Sequence, residues 1–374
     1  MSTSKILNVA VIGCGEVAQI AHIPNLIVAS DMFKITALCD ISVQSLELCS
    51  NRFGISNTFT SVSELLSSEI PIDLVFILTA DQFHAEHIIQ CADAGKHIMI
   101  EKPMAQTLAE YDAVEEARVR NKVVIFVGYM RRYATALQRL KEEIRGKQIK
   151  YVRVRDIIGN NNYFTSQSGQ YQKYFKDHPP SSTKELLGRI QSNLKENLGS
   201  DDNNIGKKLD SRDSHSWSLL HSLASHDLSA MRDIIGMPEK CLFASRSNDD
   251  DSSKSWWWNV IFKYDGFKAY YEMGIDEVAV FDASIEVYTN DSRVKIQYDT
   301  PYVKGLPIKL IIQKQLPNGD FSEQVVRPTY VDPYTLELPL IYDAIINGKD
   351  YKTKPLDAKN DTILAKMIMD ALVD

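Results

Sequence analysis

A glycine-rich turn between a predicted strand and a predicted helix constrains the fold of this chain more than any other feature. The run Gly13-Cys14-Gly15-Glu16-Val17-Ala18 follows the apolar residues 6–12 and opens a helical pattern. The first glycine permits a tight turn, the second lets the backbone approach a pyrophosphate, and the alanine allows close helix–strand packing. The helix N-terminus adds N–H donors and positive potential. The run therefore predicts a dinucleotide site with contacts at Gly13, Gly15, Glu16 and Val17.

The pattern of hydrophobic residues differs between the first 130 residues and the rest of the chain. Strand and helix patterns alternate over residues 1–130, which is typical of a parallel sheet. After a helical pattern at residues 134–144, several runs, the first at residues 151–157, have apolar side chains at every second position, which indicates a sheet with one solvated face. The sequence thus predicts an α/β protein with an N-terminal Rossmann domain (1–130), built on a doubly wound parallel sheet. Residues 131–374 are predicted to form an α+β domain for substrate binding and oligomerisation, with a large, mostly antiparallel sheet. Its two C-terminal helical patterns could pack back on the Rossmann domain.

Residues 159–216 form a polar stretch with few aliphatic side chains inside the second predicted domain. Residues 186–198 have a helical pattern. The rest is predicted to be a long loop, for which two interpretations stay open, a lid over the site or a mobile insertion.

Asp40 ends the second predicted strand, residues 34–39. A carboxylate at this position accepts hydrogen bonds from the adenosine ribose hydroxyls and repels a 2′-phosphate. Ile41 follows it, where an arginine would bind that phosphate. The pattern favours NAD as the cofactor, with NADP as the alternative. The other interpretation of Asp40 is a solvated turn residue.

The tripeptide Glu101-Lys102-Pro103 closes the apolar residues 97–100. Ligands of such sheets bind outside the carboxyl ends of the strands, where Lys102 is expected. Desolvation can tune a lysine there to hold or relay a proton, and the proline stiffens the turn in a trans or cis form. Glu101 is predicted to be a counter-charge or an acceptor for the nicotinamide ribose or carboxamide. The tripeptide predicts hydride chemistry, and a surface lysine is the alternative.

The composition argues against several functional classes. Lys+Arg 42 against Asp+Glu 49 gives a net charge of 42 − 49 = −7, which argues against direct nucleic-acid binding. No apolar run is long enough to cross a membrane, and no signal-peptide pattern precedes the first strand. We expect a cytoplasmic protein, with the nucleus as a second possible compartment. We expect no metal site, since no acidic or cysteine partner completes one around His84 and His87.

Several motifs resemble those of the glucose–fructose oxidoreductase/inositol dehydrogenase family (Gfo/Idh/MocA). The most specific is Ala-Gly-Lys-His-Ile-Met-Ile-Glu-Lys-Pro at residues 94–103. The glycine-rich turn, His22-Ile23-Pro24 and residues 79–84 and 128–133 match as well, so the resemblance covers the chain apart from the polar insertion. It implies a Rossmann domain, a second domain whose sheet covers the nicotinamide, and redox chemistry on a small sugar, cyclitol or similar polyol.

The resemblance also implies roles for individual residues. The family's catalytic lysine and histidine fall on Lys102 and His226, and residues expected near the cofactor are Thr79, His84, Glu101, Lys102 and Arg132. An imidazole titrates near neutrality, so His226 can take the proton of a substrate hydroxyl. A helix-packing histidine is the alternative.

Ser222 departs from the family pattern, since many of these dehydrogenases have an aspartate four residues before the histidine. A serine cannot hold an imidazolium as a carboxylate does, although Asp227 or His221 could compensate. The resemblance therefore implies an NAD(P)-dependent dehydrogenase or reductase acting on CH–OH groups. The alternative function is a non-catalytic dinucleotide-binding regulator, and glycoside cleavage through transient oxidation is a third.

The run Trp256-Trp257-Trp258 predicts a strand whose alternate rings face the core and the outer surface. In this family the outer face of the second sheet often forms the subunit contact. The run therefore predicts a homo-oligomer formed through that face.

Overall fold

The computed structural model describes residues 5–199, 210–247 and 256–373. The chain forms two compact units. The first consists of residues 1–128, 170–222 and 337–362, and the second consists of residues 129–169, 223–336 and 363–374. Two segments that follow the predicted boundary near residue 130, residues 170–222 and 337–362, belong to the first unit, and the second of them includes parts of the two C-terminal helices. Side chains of those segments bond early residues, as when the Tyr342 hydroxyl donates to the Lys5 carbonyl at 2.8 Å.

The first unit contains a six-stranded parallel sheet in the order β3-β2-β1-β4-β5-β6. This confirms the predicted doubly wound sheet, with its topological switch between β1 and β4. The strands are β1 Leu7–Ile12, β2 Phe33–Cys39, β3 Thr58–Phe59, β4 Leu74–Ile77, β5 His97–Glu101 and β6 Ile125–Gly128.

Helices of the first unit alternate with these strands. A π-helical turn, Ala18–His22, continues into α1 Ile23–Val28; then come α2 Val43–Phe53, α3 Val62–Ser67, a 3₁₀ turn Asp81–Phe83, α4 His84–Asp93 and α5 Leu108–Asn121. Local chemistry sets their ends. The Ser42 side chain caps α2, and Gly54, at φ 69°, ends it. Thr107 and Glu110 form a capping box at the start of α5.

The second unit contains an eight-stranded sheet in the order β14-β13-β12-β11-β7-β10-β9-β8. All neighbours are antiparallel except β7 and β10, which run parallel, so the prediction of a mostly antiparallel sheet is confirmed. The strands are β7 Ile149–Gly159, β8 Lys240–Ser247, β9 Trp256–Tyr264, β10 Phe267–Asp276, β11 Phe281–Thr289, β12 Ser292–Gln297, β13 Lys309–Gln315 and β14 Phe321–Val326.

The remaining helices are α6 Met130–Tyr133, α7 Thr135–Ile144, α8 Asn162–Thr165, α9 Pro180–Leu198, α10 Ser211–Ser222, α11 Ala224–Ile235, α12 Pro333–Ile346 and α13 Pro355–Asp370. Within the described residues, no helix has both the length and the apolar character needed to span a membrane.

The described parts of the polar stretch, residues 159–199 and 210–216, contain more helix than the sequence predicts. Helix α9 begins at Pro180 rather than at residue 186, because a proline is well tolerated at the first helical position. Its side chains bond the Rossmann sheet's loops, as Asn193 and Asn197 donate to the side chain and the carbonyl of Gln106 at 3.1 and 3.0 Å. Helix α10 also lies partly in the stretch that was predicted as loop.

Candidate active site

The glycine-rich turn follows β1 and has the geometry that a dinucleotide site requires. Gly13 has a φ of 99°, and a Cβ there would lie 2.5 Å from the Leu78 carbonyl oxygen, so no other residue fits. A Cβ at Gly15 would meet nothing within 4 Å, which leaves open space beside the backbone. Ala18 is fully buried where the helix packs on the sheet. The turn thus fits a pyrophosphate, and Glu16 and Val17 lie in the first turn of the helix.

Asp40 lies directly after β2 and is bonded to the same turn. One carboxylate oxygen accepts the Cys14 N–H at 2.6 Å, and the other accepts the Ser42 N–H at 2.8 Å. Burial raises the pKa of Asp40, although these two N–H donors oppose the shift. Asp40 is therefore held by main-chain donors on both sides, in the glycine-rich turn and at the start of α2.

Glu101 ends β5 and is a buried anion. It is 8% exposed, and one carboxylate oxygen lies 2.7 Å from His22 Nε2. The other accepts the Lys102 backbone N–H at 3.2 Å. Burial alone would raise the pKa of Glu101, but the hydrogen bond to His22 and nearby positive charge outweigh it, so the pKa lies below its usual value. The sequence predicted no site role for His22, although His22 begins the motif His22-Ile23-Pro24, which resembles the family pattern.

Lys102 follows β5, and its peptide bond to Pro103 is cis. Its ammonium group donates to the backbone carbonyl of Ser222, at the end of α10. The position that lacks the usual aspartate therefore still contacts the lysine, through its main chain. The charge of Lys102 also acts on the buried Glu101 carboxylate next to it.

His84 and Thr79 lie in the loop and first helical turn after β4. His84 is 1% exposed, and its two ring nitrogens lie 2.7 Å from the Pro103 carbonyl and 2.9 Å from the Thr79 carbonyl. Its ring thus joins the β4 loop to the turn after Lys102. The Thr79 hydroxyl lies 3.1 Å from His87 Nδ1. Contacts of Thr79 and His84 with a cofactor stay predictions.

Histidine 221 is a core residue of the first unit. It is fully buried, with Nδ1 2.9 Å from the Trp217 carbonyl and Nε2 3.1 Å from the Thr362 hydroxyl. Burial lowers its pKa, so the ring is neutral near pH 7. Both ring nitrogens of His221 thus have partners in the core. The structure gives His221 no role that would compensate for the missing aspartate at position 222.

In the second unit, His226 lies in the first turn of α11. Its neighbour Asp227 is fully buried and contacts the Arg131 guanidinium, which also lies 3.2 Å from Asp156. Burial raises the pKa of Asp227 well above its usual range, against the opposing effect of Arg131. One cation thus faces two carboxyl groups, so Asp227 belongs to a structural cluster and is not a free base.

Arg132 is also buried, at 4% exposed, within the second unit. Its Nε lies 3.9 Å from the Asp233 carboxylate, and its guanidinium stacks over the Tyr129 ring at 5.7 Å. These contacts are those of a packed ion pair. A contact of Arg132 with a nicotinamide stays a prediction.

No group of three or more His, Cys, Asp or Glu side chains suited to a metal ion occurs among residues 5–199, 210–247 and 256–373. The five cysteines lie in these ranges, and all are free thiols, four of them buried.

Residues 7–129 match the model of an oxidoreductase family with an NAD-binding Rossmann fold, GFO_IDH_MocA. The chain is 29% identical to myo-inositol 2-dehydrogenase of Thermotoga maritima over 138 residues, which are 37% of this chain and 40% of that protein. It is 29% identical to D-glucoside 3-dehydrogenase of Escherichia coli over 143 residues, 38% of this chain and 40% of that protein. The matches thus span 40% of the length of these two curated relatives.

A solved structure with the same fold is KijD10, a 3-ketoreductase from Actinomadura kijaniata in complex with NADP. The TM-score is 0.72 at 15% identity, and the match covers 99% of both chains. At that identity the likeness establishes the shared fold of both units.

Proposed function

We propose that the chain is a member of the Gfo/Idh/MocA oxidoreductase family, whose model matches residues 7–129, and that it is an NAD(P)-dependent oxidoreductase acting on a CH–OH group of a sugar, cyclitol or similar polyol. One observation carries the proposal. Three strands of the parallel sheet present the glycine turn, Asp40 and Lys102 at their carboxyl ends, which is where such sheets bind ligands. The inositol and glucoside dehydrogenases among its relatives support the polyol class.

The nicotinamide, when bound, supplies the hydride acceptor or donor. Lys102, which follows the buried Glu101 carboxylate, polarises the substrate oxygen. As the alcohol becomes a carbonyl, the carbon loses a hydride and the oxygen loses a proton, which His226 takes up. In the reverse direction His226 returns that proton. NAD is the favoured cofactor, because a carboxylate directly after the second strand, as Asp40 is, accepts hydrogen bonds from ribose hydroxyls and repels a 2′-phosphate, and NADP is the alternative.

Two further properties belong to the proposal. We propose a cytoplasmic enzyme and a homo-oligomer formed through the outer face of the eight-stranded sheet. Trp257 on β9 is 36% exposed there, while its neighbour Trp258 is 1% exposed on the core side. An aromatic side chain on an open sheet face is typical of a subunit contact. The mass of the protein in solution tests this.

The Lys102→Ala variant tests the catalytic role. We expect turnover to fall by about 10³-fold or more while dinucleotide binding stays within about threefold, because the lysine acts on the reacting oxygen. Lys96→Ala is the matched control, since Lys96 precedes the same strand and donates to the Ile72 carbonyl at 3.1 Å. Unchanged turnover in Lys102→Ala would falsify the assignment.

A panel of polyols, cyclitols, sugars and their keto forms, followed by nicotinamide absorbance with NAD and with NADP, tests the activity itself. Turnover of at least one polyol or keto sugar is the expected result. Tight dinucleotide binding without turnover of any compound would contradict the enzyme and favour a regulator. Bond cleavage without net cofactor reduction would indicate glycoside cleavage.

A further inference from the structure

Residues 170–178, which we call the strap, form hydrogen bonds with the glycine-rich turn region and with the start of α2 in the first unit. The side chain of Gln19, fully buried, pairs with the main chain of Lys173: Nε2 donates to the carbonyl at 3.0 Å, and Oε1 accepts the N–H at 3.0 Å. The same Nε2 donates to the Cys14 carbonyl inside the glycine-rich turn at 2.9 Å. The Tyr174 hydroxyl donates to the carboxylate of Glu16. A buried amide with all three partners fixes the strap against the turn itself.

The strap carries a carboxylate to the next loop of the cleft. Asp177 accepts the Ser42 hydroxyl at 2.5 Å and the Gln44 backbone N–H at 3.0 Å. These donors form the N-terminus of α2, an 11-residue helix whose N-cap is Ser42. The hydrogen bond from Ser42 lowers the pKa of Asp177, so the side chain is an anion at neutral pH. The positive end of α2 therefore already holds a negative group.

Asp177 and Asp40 converge on one residue. The Ser42 hydroxyl donates to Asp177, while the Ser42 backbone N–H donates to Asp40 at 2.8 Å. The charge of Asp177 raises the pKa of Asp40, and that of His178 acts in the opposite direction. Helix N-termini next to the β2 carboxylate are where a 2′-phosphate would find donors. Here a second carboxylate occupies those donors.

We propose that Asp177 is a determinant of dinucleotide choice, supplied by the strap, which excludes a 2′-phosphorylated dinucleotide and leaves a 2′-hydroxyl one unaffected. The inference rests on the proposed function, since it needs a dinucleotide on the glycine-rich turn. A 2′-phosphate has to displace the Asp177 carboxylate from Ser42 and Gln44 or lie beside two negative charges. A ribose hydroxyl is uncharged and can donate a hydrogen bond to a carboxylate. It therefore neither has to displace Asp177 nor is repelled by the two negative charges.

The test is equilibrium binding of NAD and of NADP to the wild type and to Asp177→Asn, measured by calorimetry. Ser42 and Gln44 donate to different oxygens of Asp177. Asparagine removes the charge, keeps one of these two acceptors and puts an NH₂ group in place of the other. We expect NADP to bind about tenfold or more tightly in the variant, as removal of one nearby charge implies, while NAD changes by less than about threefold.

Asp112→Asn is the matched control. Asp112 is exposed on α5 and pairs with Lys359 at 2.6 Å. Its substitution by asparagine changes the net charge by the same amount, but at a position away from the carboxyl ends of the strands. We expect the ratio of NADP to NAD affinity to stay at its wild-type value there. Asp177→Ser, which also removes the charge, should move the ratio in the same direction as Asp177→Asn, and melting temperatures verify that each variant is folded.

Each failure has its own signature. A wild type that binds neither dinucleotide overturns the proposed function together with this inference. A wild type that binds NAD, with an Asp177→Asn variant whose NADP to NAD ratio is unchanged, overturns the role of Asp177 alone. If the wild type binds NADP as tightly as it binds NAD, the role of Asp177 is likewise overturned.

Discussion

At the scale of single residues, the contact between Lys102 and position 222 does not involve the side chain of Ser222. The lysine donates to the backbone carbonyl of Ser222. A backbone carbonyl is present whatever side chain occupies the position. The lysine is therefore held by the end of α10 and does not depend on the chemistry of residue 222.

We therefore expect Ser222→Ala to change kcat/KM by no more than about twofold, since the carbonyl acceptor is retained. Steady-state kinetics on any active substrate provides the measurement. A loss of tenfold or more would mean that the hydroxyl itself takes part in proton transfer.

His87 gives a pH dependence that can be traced to one side chain. Burial lowers its pKa from 6.5 to about 4, in a position between the Phe83 ring and the Thr79 hydroxyl. The unfolded chain therefore binds a proton that the folded chain does not, between about pH 6.5 and pH 4. In that window the stability contributed by the neutral ring is lost as the pH falls.

The variant His87→Gln should remove this part of the acid sensitivity. We expect its free energy of unfolding to fall by about 1–2 kcal/mol less than that of the wild type between pH 6.5 and pH 4. Urea unfolding at several pH values measures the slope. Parallel slopes for the two proteins would show that His87 is not the titrating group.

At the scale of elements, the turn that carries Lys102 is held by the start of α5. The Thr107 hydroxyl accepts the Glu110 N–H at 3.2 Å, and the Glu110 carboxylate accepts the N–H groups of Thr107 and Gln106 at 3.0 and 2.9 Å. Three donors at one helix end are thus satisfied by two side chains.

Thr107→Ala should destabilise the protein by about 1 kcal/mol, the usual cost of losing an N-cap. The midpoint of denaturant unfolding measures it. Thr107→Ser keeps the accepting oxygen and serves as the control, with an expected stability near that of the wild type. Equal losses in both variants would indicate that the methyl group, rather than the cap, is what matters.

Elements whose sequence pattern lies within one short run of residues could be predicted better than contacts between residues far apart in the chain. Strand β1 is a short, almost wholly buried apolar run, and the sequence located it to within one residue. Edge strand β14 has no alternation, since most of its residues are exposed, and it was missed. Gly13, Asp40 and Lys102 were predicted from turns at strand ends. The pairing of Gln19 with Lys173 had no sequence signal, because it joins residues far apart through a main-chain contact.

At the scale of the whole molecule, the chain passes between its two units five times, at residues 128/129, 169/170, 222/223, 336/337 and 362/363. The first unit is completed by late segments. Thr353 accepts the Val127 N–H at 3.0 Å, and Tyr351 stacks on Phe126 with ring centroids 5.5 Å apart. The Rossmann sheet therefore packs against segments that lie more than 200 residues later in the chain.

A fragment of residues 1–130 should consequently lack the cooperative thermal transition of the full chain or melt well below it. Circular dichroism melting curves and binding of a hydrophobic dye compare the two. The fragment loses the Tyr342 and Tyr351 contacts to its strands and exposes the edge of β6. A fragment that melts cooperatively at the temperature of the full chain would contradict this.

The bond from Val127 to Thr353 has a consequence for how the protein is made. Strand β6 leaves the ribosome long before its partner, and at about 5–20 residues per second the intervening chain takes roughly ten to forty-five seconds to synthesise. During that interval the nascent polypeptide presents an unpaired strand edge beside an apolar sheet. Translation speed and chaperone supply should therefore govern the yield of this protein more strongly than the stability of the finished molecule does.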